Sequence, residues 1–296
     1  MIAFGPVSSR RLGKSLGINN IVTGKYCSYS CVYCQIGKTK NRSVLRQEFY
    51  KPEVLLREVE QHLNKLDKNH FPDFLTFVAN GEPTLDVNLG IEIDLLKKFG
   101  IPVAVITNAS LIYQPEVVTE LLKADWVSVK IDSCNETAWK EINRPAENLY
   151  LNEILDGIKV FSKLYRGRLN TETMLVQGIN DSVPMLEQNV KFISSINPET
   201  AYLSIPVRPP AEEKINPVRE EILNEAWQIY KNAGINTELI AGFEGTDTGS
   251  TGNAYDDILN ITAVHPLRED TIEELLRKNN ADISVESRRI IFQLWN

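Results

Sequence analysis

From residue 51 the chain alternates between two hydrophobic periods, and that alternation limits its folds more than any other feature. Short apolar runs occupy 74–79, 103–106, 126–131, 169–176 and 201–205. Between them, residues 52–66, 88–99, 115–123, 151–165 and 184–195 repeat apolar side chains at helical spacing; in 52–66 these fall at 54, 55, 59, 63 and 66. A further run at 15–22 reads as a strand and its exit. Six short strands joined by amphipathic helices predict an α/β fold with a parallel sheet and right-handed crossovers. Six units are too few to close an eightfold barrel, so the expectation is an open or partial (β/α)6 TIM-like barrel.

In such folds the active site lies at the carboxyl ends of the strands. The polar and glycine-bearing stretches fall there, at 27–34, 80–84, 107–108, 132–134, 177–181 and 206–210. Past Pro210 the pattern changes. A helix is expected over 217–233, a last strand at 237–240 and a linker over 242–253. Helical stretches follow at 255–264, 270–278 and 284–294. The chain therefore divides into a barrel domain, 1–211, and a mainly helical extension, 212–296.

Three of the four cysteines, Cys27, Cys31 and Cys34, sit within eight residues just after the first strand. Three thiols cannot close a disulfide set, so the spacing Cys-x3-Cys-x2-Cys points to metal or to an iron–sulfur cluster. A zinc site with Cys134 as fourth ligand is one reading, but it leaves Asn80-Gly81-Glu82-Pro83 unexplained. Three thiolates can instead take three corners of a four-iron cluster, leaving the fourth iron open to a small molecule with an amine and a carboxylate. Such cysteine use fits a reducing cytoplasm. No apolar run is long enough for a membrane span, and the first residues lack the apolar segment of a secretory signal.

The net charge of −7 argues against a nucleic-acid partner, but the charge is unevenly distributed. Residues 212–296 hold 16 acidic and 8 basic residues, whereas 1–47 hold no acid and eight bases: Arg10, Arg11, Lys14, Lys25, Lys38, Lys40, Arg42 and Arg46. This segment either compensates a negatively charged cluster or forms a positive mouth for an anionic substrate.

Cys27, Cys31 and Cys34, with aromatic Tyr33 before the last cysteine, resemble the signature of the radical S-adenosylmethionine (SAM) superfamily, and the resemblance spans about 15–210. It implies a partial barrel holding a four-iron, four-sulfur (4Fe-4S) cluster and SAM. The reduced cluster would cleave SAM to methionine and a 5′-deoxyadenosyl radical, which abstracts hydrogen from a substrate. It also implies an external electron donor of flavodoxin or ferredoxin type. By position, Asn80-Gly81-Glu82-Pro83 is similar to the family's Gly-Gly-Glu-Pro motif, which contacts the methionine amino group; here asparagine replaces the first glycine. Thr107 and Asn108 match positions near the carboxylate or ribose. Lys130, Asp132 and Ser133 match contacts to ribose, carboxylate or substrate, and Gln177 and Val207 match the adenine end.

Residues 5–19, 34–37, 142–145 and 264–268 resemble a family of small iron–sulfur oxidoreductases grouped with the tRNA wyosine-base synthases. tRNA modification is the leading substrate reading, supported by the basic segment 1–47 and opposed by the acidic C-terminal third, with a small metabolite or peptide as the alternative. A non-catalytic metal or redox sensor is the rival of another class. The archaeal wyosine enzymes use additional cysteines for a second cluster; here only Cys134 remains, and one thiol cannot hold one. Cys134 is either a packing residue or a hydrogen donor or substrate ligand near the radical. Arg144 and Arg208 either bind an anionic substrate or pair with nearby acids. His62, His70 and His265 read as structural.

Overall fold

The computed structural model describes residues 2–21, 24–40, 42–66, 70–241, 251–262, 267 and 269–279. One sheet carries eight strands in chain order: β1 (Ala3–Ser9), β2 (Gly13–Ile18), β3 (Phe74–Phe77), β4 (Val103–Thr107), β5 (Trp126–Lys130), β6 (Arg168–Met174), β7 (Thr200–Ser204) and β8 (Thr237–Ile240). From β2 to β8 every pairing is parallel, so each connection must cross over, and helices supply the crossovers. They are α1 (Pro52–Leu63), α2 (Leu89–Leu96), α3 (Pro115–Leu121), α4 (Glu136–Asn143), α5 (Leu151–Leu164), α6 (Val183–Ile196) and α7 (Glu220–Asn232). The sheet curls into the expected partial barrel and extends it at both edges. β8 adds in parallel beyond β7, and β1 pairs antiparallel ahead of β2.

The two-residue period of the strands separates the layers. Leu75, Phe77, Val103, Val105, Val127 and Val129 turn outward into one core shared with the helices. Thr76, Ile106, Lys130, Glu172, Met174 and Ser204 turn inward to line the lumen. Leu12, in the turn between β1 and β2, packs with Phe74, Ala104, Trp126 and Tyr202 in a separate buried cluster on that inner face.

Neither β1 nor α4 was visible in the hydrophobic pattern. Gly5-Pro6 breaks the alternation in β1, and the register slips between Phe4 and Val7. Proline lacks an N–H and is tolerated because this is an edge strand. α4 has eight residues; Asn135 caps it by accepting from the Ala138 N–H at 3.1 Å, and Ala138, Trp139 and Ile142 are buried.

Beyond 241, α8 (Ala254–Thr262) and α9 (Glu269–Lys278) pack through Ile258, Ile261, Leu267, Ile272 and Leu275, with Val7 of β1 against them. The expected helix at 284–294, His265 and most of the 242–253 linker lie outside the described residues. Among the described residues, no helix is long and apolar enough to cross a membrane.

Candidate active site

The cysteine loop lies over the carboxyl ends of the strands, tied there mainly by its backbone. The Tyr26 N–H donates to Asn80 O at 2.9 Å, and the Glu82 N–H returns to Tyr26 O at 3.1 Å. The Ser30 and Val32 N–H groups donate to Asn143 O and Ile142 O at 3.0 and 2.9 Å. Gly81 makes the close approach of Tyr26 possible, since a Cβ built there would stand 1.6 Å from Tyr26 O, the acceptor of the Glu82 N–H. Arg46 clamps the far side, donating to the carbonyls of Thr84 and Asp86, each at 2.8 Å, and pairing with Glu120.

Each sulfur of the loop meets an N–H donor from a different position. Asn108 Nδ2 is 3.5 Å from Cys27 Sγ, Asn143 Nδ2 is 3.4 Å from Cys31 Sγ, and Lys25 Nζ is 3.0 Å from Cys34 Sγ. Burial pushes the Cys27 and Cys31 thiols up, Cys31 to about 11. Uncoordinated, these two stay protonated at neutral pH; an iron ligand must be a thiolate. Three thiols with three sulfur-directed donors are the environment that iron–sulfur ligation uses, so the donor set fits a cluster.

Glu82 braces this assembly. Its Oε1 accepts from Thr84 N, Thr84 Oγ1 and Thr107 Oγ1 at 3.1, 2.7 and 2.6 Å, and its Oε2 accepts from Asn108 N at 2.7 Å. Burial raises its pKa while these donors oppose the rise. The carboxylate thus joins the turn after β3 to the end of β4. By contrast, Asn80 Oδ1 is buried with no partner among the described residues. An unmatched acceptor in the Asn80–Pro83 turn after β3 suits an incoming ammonium group.

Behind Cys34 opens a cavity of about 670 Å³ within the sheet. Its wall carries a charged lattice. Glu172 pairs with Arg11, accepts from Lys130 Nζ at 3.2 Å and accepts from Ser204 Oγ at 3.2 Å. Burial alone would raise Glu172, but Arg11 and Lys130 outweigh it and hold the carboxyl at about 2. Burial likewise disfavours the Lys130 charge, yet Glu172 and Asp132 raise its pKa, so the ammonium persists. Lys130 Nζ also stands 4.9 Å from the Tyr33 ring centroid. The Tyr33 hydroxyl donates to Asp132 Oδ2, which also accepts from Asn143 Nδ2 at 2.6 Å. Asn143 therefore connects Cys31 to the lumen wall.

Of the residues expected from the sequence, Tyr33, Cys34, Lys130, Val207 and Arg208 line the cavity. Cys27, Cys31, Asn80, Gly81, Glu82, Thr107 and Asn108 gather in and under the loop, and Pro83 accepts there from Asn20 Nδ2 at 3.2 Å. Others are placed elsewhere. Ser133 Oγ accepts from Asn135 N at 3.1 Å, ahead of α4. Gln177 is exposed. Arg144 pairs with Glu212 at 2.6 Å. Cys134 packs in the helix-facing core, where burial pushes its thiol to about 12. It is not among the residues that line the cavity. His62 bonds Gly5 O at 2.7 Å, a structural contact.

Asn143 and Glu172 emerge only from the tertiary structure, which also assigns Lys25 and Arg11 of the basic segment their partners, Cys34 and Glu172. Glu172 left one trace in the sequence: an acid inside a strand of a parallel sheet, where both faces are normally covered.

A profile of the radical SAM superfamily matches residues 21–188. The chain belongs to the radical SAM superfamily and is an enzyme of that class. Among its relatives is the UPF0026 protein MJ1312 of Methanocaldococcus jannaschii, 46% identical over 291 residues that cover 98% of this chain and 90% of the relative. A UPF0026 protein of Helicobacter pylori strain J99 is 38% identical over 210 residues, 70% of this chain and 67% of that one. The fold is shared with TYW1, in a structure with a lysine–pyruvate adduct bound, at a TM-score of 0.58 and 15% identity, with 75% of each chain covered. Membership implies an iron–sulfur cluster and SAM as cofactors.

Proposed function

We propose that Cys27, Cys31 and Cys34 hold a 4Fe-4S cluster and that the adjoining lumen receives SAM and the substrate from which hydrogen is abstracted. The observation that carries this reading is the set of three sulfurs, each met by its own N–H donor, with Cys34 on the rim of the cavity. Once loaded, the cluster and SAM supply reductive cleavage of the sulfonium to methionine and a 5′-deoxyadenosyl radical. The protein's own residues bind, orient and exclude water. Lys25, Asn108 and Asn143 stabilise negative charge on the three sulfurs. Asn80 Oδ1 accepts from the methionine ammonium, with the Gly81 turn holding it in place. Glu82 positions Thr107 and Asn108 through its two oxygens, and Oε2, which accepts from Asn108 N, has a second acceptor site to offer the ligand ammonium. Val207 borders the adenine, and Tyr33, fixed by Asp132, walls off the loop. An external one-electron donor of flavodoxin or ferredoxin type is required.

The basic residues of 1–47 bear on the substrate. Arg11, Lys25, Lys38, Arg42 and Arg46 make contacts within the chain, to Glu172, Cys34, Glu212, the carbonyls of Arg144 and Pro145, and the Thr84–Asp86 turn. They act chiefly as clamps, which favours a small molecule over tRNA. A tRNA substrate would instead bind with a steep salt dependence.

Anaerobic reconstitution with iron and sulfide, followed by dithionite and SAM, is the test. A brown protein whose cluster spectrum changes on adding SAM, and which forms 5′-deoxyadenosine, is expected. A colourless zinc protein, or a cluster that yields no 5′-deoxyadenosine, would sink the reading.

A further inference from the structure

Residues 206–217, between β7 and α7, form no helix or strand, yet they are fastened along their length. At the near end, Arg208 Nη1 donates to Gln35 Oε1 at 2.7 Å. In the middle, the Glu212 N–H donates to Val32 O at 3.1 Å. At the far end, the Gln177 N–H donates to Asn216 O at 3.1 Å, and Pro217 pairs with Val176. Ile215 packs on buried Val32, Tyr33, Ile142 and Val176, the same group that Cys31 packs against. The segment is a strap laid across residues 32–38.

The Glu212 side chain adds contacts that cross between elements. Its Oε1 takes Arg144 Nη1 at 2.6 Å and Lys38 Nζ at 3.1 Å. Lys38 lies just beyond the last cysteine, and Arg144 caps the end of α4. One carboxylate therefore joins the strap, the cysteine loop and α4. Arg144 holds φ at 44°, in the left-handed region that residues other than glycine rarely adopt. Such a backbone persists only where its surroundings over-determine it. Here the Ser30 N–H and Arg42 Nη1 donate to the Arg144 carbonyl at 3.2 and 3.1 Å, while the guanidinium reaches Glu212. The strained residue thus ties the cysteine loop by its main chain and the strap by its side chain.

We propose that Glu212 is a positioning residue whose ion pairs with Arg144 and Lys38 latch the 206–217 strap over the cysteine loop and so limit access to the cluster. The proposal rests on the reading in which Cys27, Cys31 and Cys34 hold that cluster. Ion pairs near the surface are individually weak, so the latch sets how often the strap lifts rather than whether the chain folds. Val207 and Arg208 of the same strap line the lumen, and a weak latch suits a wall that must open to admit and release ligands.

The test compares the anaerobically reconstituted full chain with its Glu212→Gln and Arg144→Gly variants. Glutamine keeps the shape and loses the charge; glycine accepts the left-handed backbone and removes the guanidinium. Hydrogen exchange of 206–217 should quicken about threefold in each variant, the scale of a partly exposed ion pair, while β3 to β5 stay as they are. Salt at about 0.5 M should reproduce that rise in the wild type and add little in Glu212→Gln, a response that packing alone would not give. Iron release to the ferrous chelator bathophenanthroline should quicken by a similar factor in both variants. Unchanged strap exchange in Glu212→Gln, or an equal salt response in Glu212→Gln and wild type, overturns the latch. A change in Glu212→Gln but not in Arg144→Gly removes Arg144 from it, and faster exchange without faster iron release overturns its cover of the cluster. A wild-type chain that takes up no cluster sinks the radical reading instead, and strap exchange measured on that same chain still decides the latch.

Discussion

Gly81 has no side chain because the backbone of Tyr26 occupies the space one would fill. Both partners of that contact are main chain, so neither can turn aside. Gly81→Ala is expected to cost about 1–3 kcal/mol, the range of overpacking, and to free the cysteine loop. Thermal melting and the iron content of the reconstituted protein would show both effects; unchanged values would mean the loop adjusts without cost. Asn143 is the other residue on which much depends, since one amide serves both Cys31 Sγ and Asp132 Oδ2. Asn143→Ala removes both donors and leaves a buried carboxylate short of one, a loss of about 1–3 kcal/mol. With less positive charge near the sulfur, the cluster should also be harder to reduce. Redox titration followed by EPR checks this, and a midpoint that does not move would assign Asn143 to packing alone.

Among elements, α2 carries a feature that should show in pH dependence. Glu92, from its first turn, is buried beside Asp86 and Asn20. Asn20 Nδ2 reaches Asp86 Oδ2 at 3.5 Å and Glu92 Oε2 at 3.4 Å, while Glu92 Oε1 is buried without a partner among the described residues. Burial and then the Asp86 charge push Glu92 upward, and burial pushes Asp86 upward too. A carboxyl raised on folding binds more protons in the native state. Its contribution is therefore present at low pH and lost as pH rises above the ordinary carboxylate range. Wild-type Tm should fall from about pH 6 to about pH 8, and Glu92→Gln, which cannot ionise, should flatten that fall. An identical slope in the variant would place the titration elsewhere. α4 and β1 show what periodicity misses. An eight-residue helix offers too few turns for a pattern, and a strand interrupted by Gly5-Pro6 has no alternation to read. The long, well-spaced α5 and α6 were legible to within a residue or so because burial of one face fixes their period.

At the scale of the molecule, α8 and α9 meet β1, and Leu267 and Thr271 reach the cavity wall. Leu275 is fully buried in that small cluster, and Leu275→Ala should cost about 2–5 kcal/mol there. Hydrogen exchange should quicken in α8, α9 and β1 while β3 to β6 stay protected. Uniform loss of protection would show that the helix pair and the barrel unfold as one unit. The sequence by itself determined the parallel strands and their crossovers, because alternating and helical periods express which faces must leave water. It also determined the three-cysteine loop, because ligand spacing within a short loop is local, and the strand-end positions that gather beneath it. Only the tertiary structure decided what each polar group faces. Glu82 became a brace, Cys134 a core residue and Arg144 an ion-pair partner, while Asn143, Glu172 and Arg11 entered the site from distant stretches. Those roles depend on curling an eight-stranded sheet so that residues 161 apart, as Arg11 and Glu172 are, come into contact; no local pattern encodes that distance.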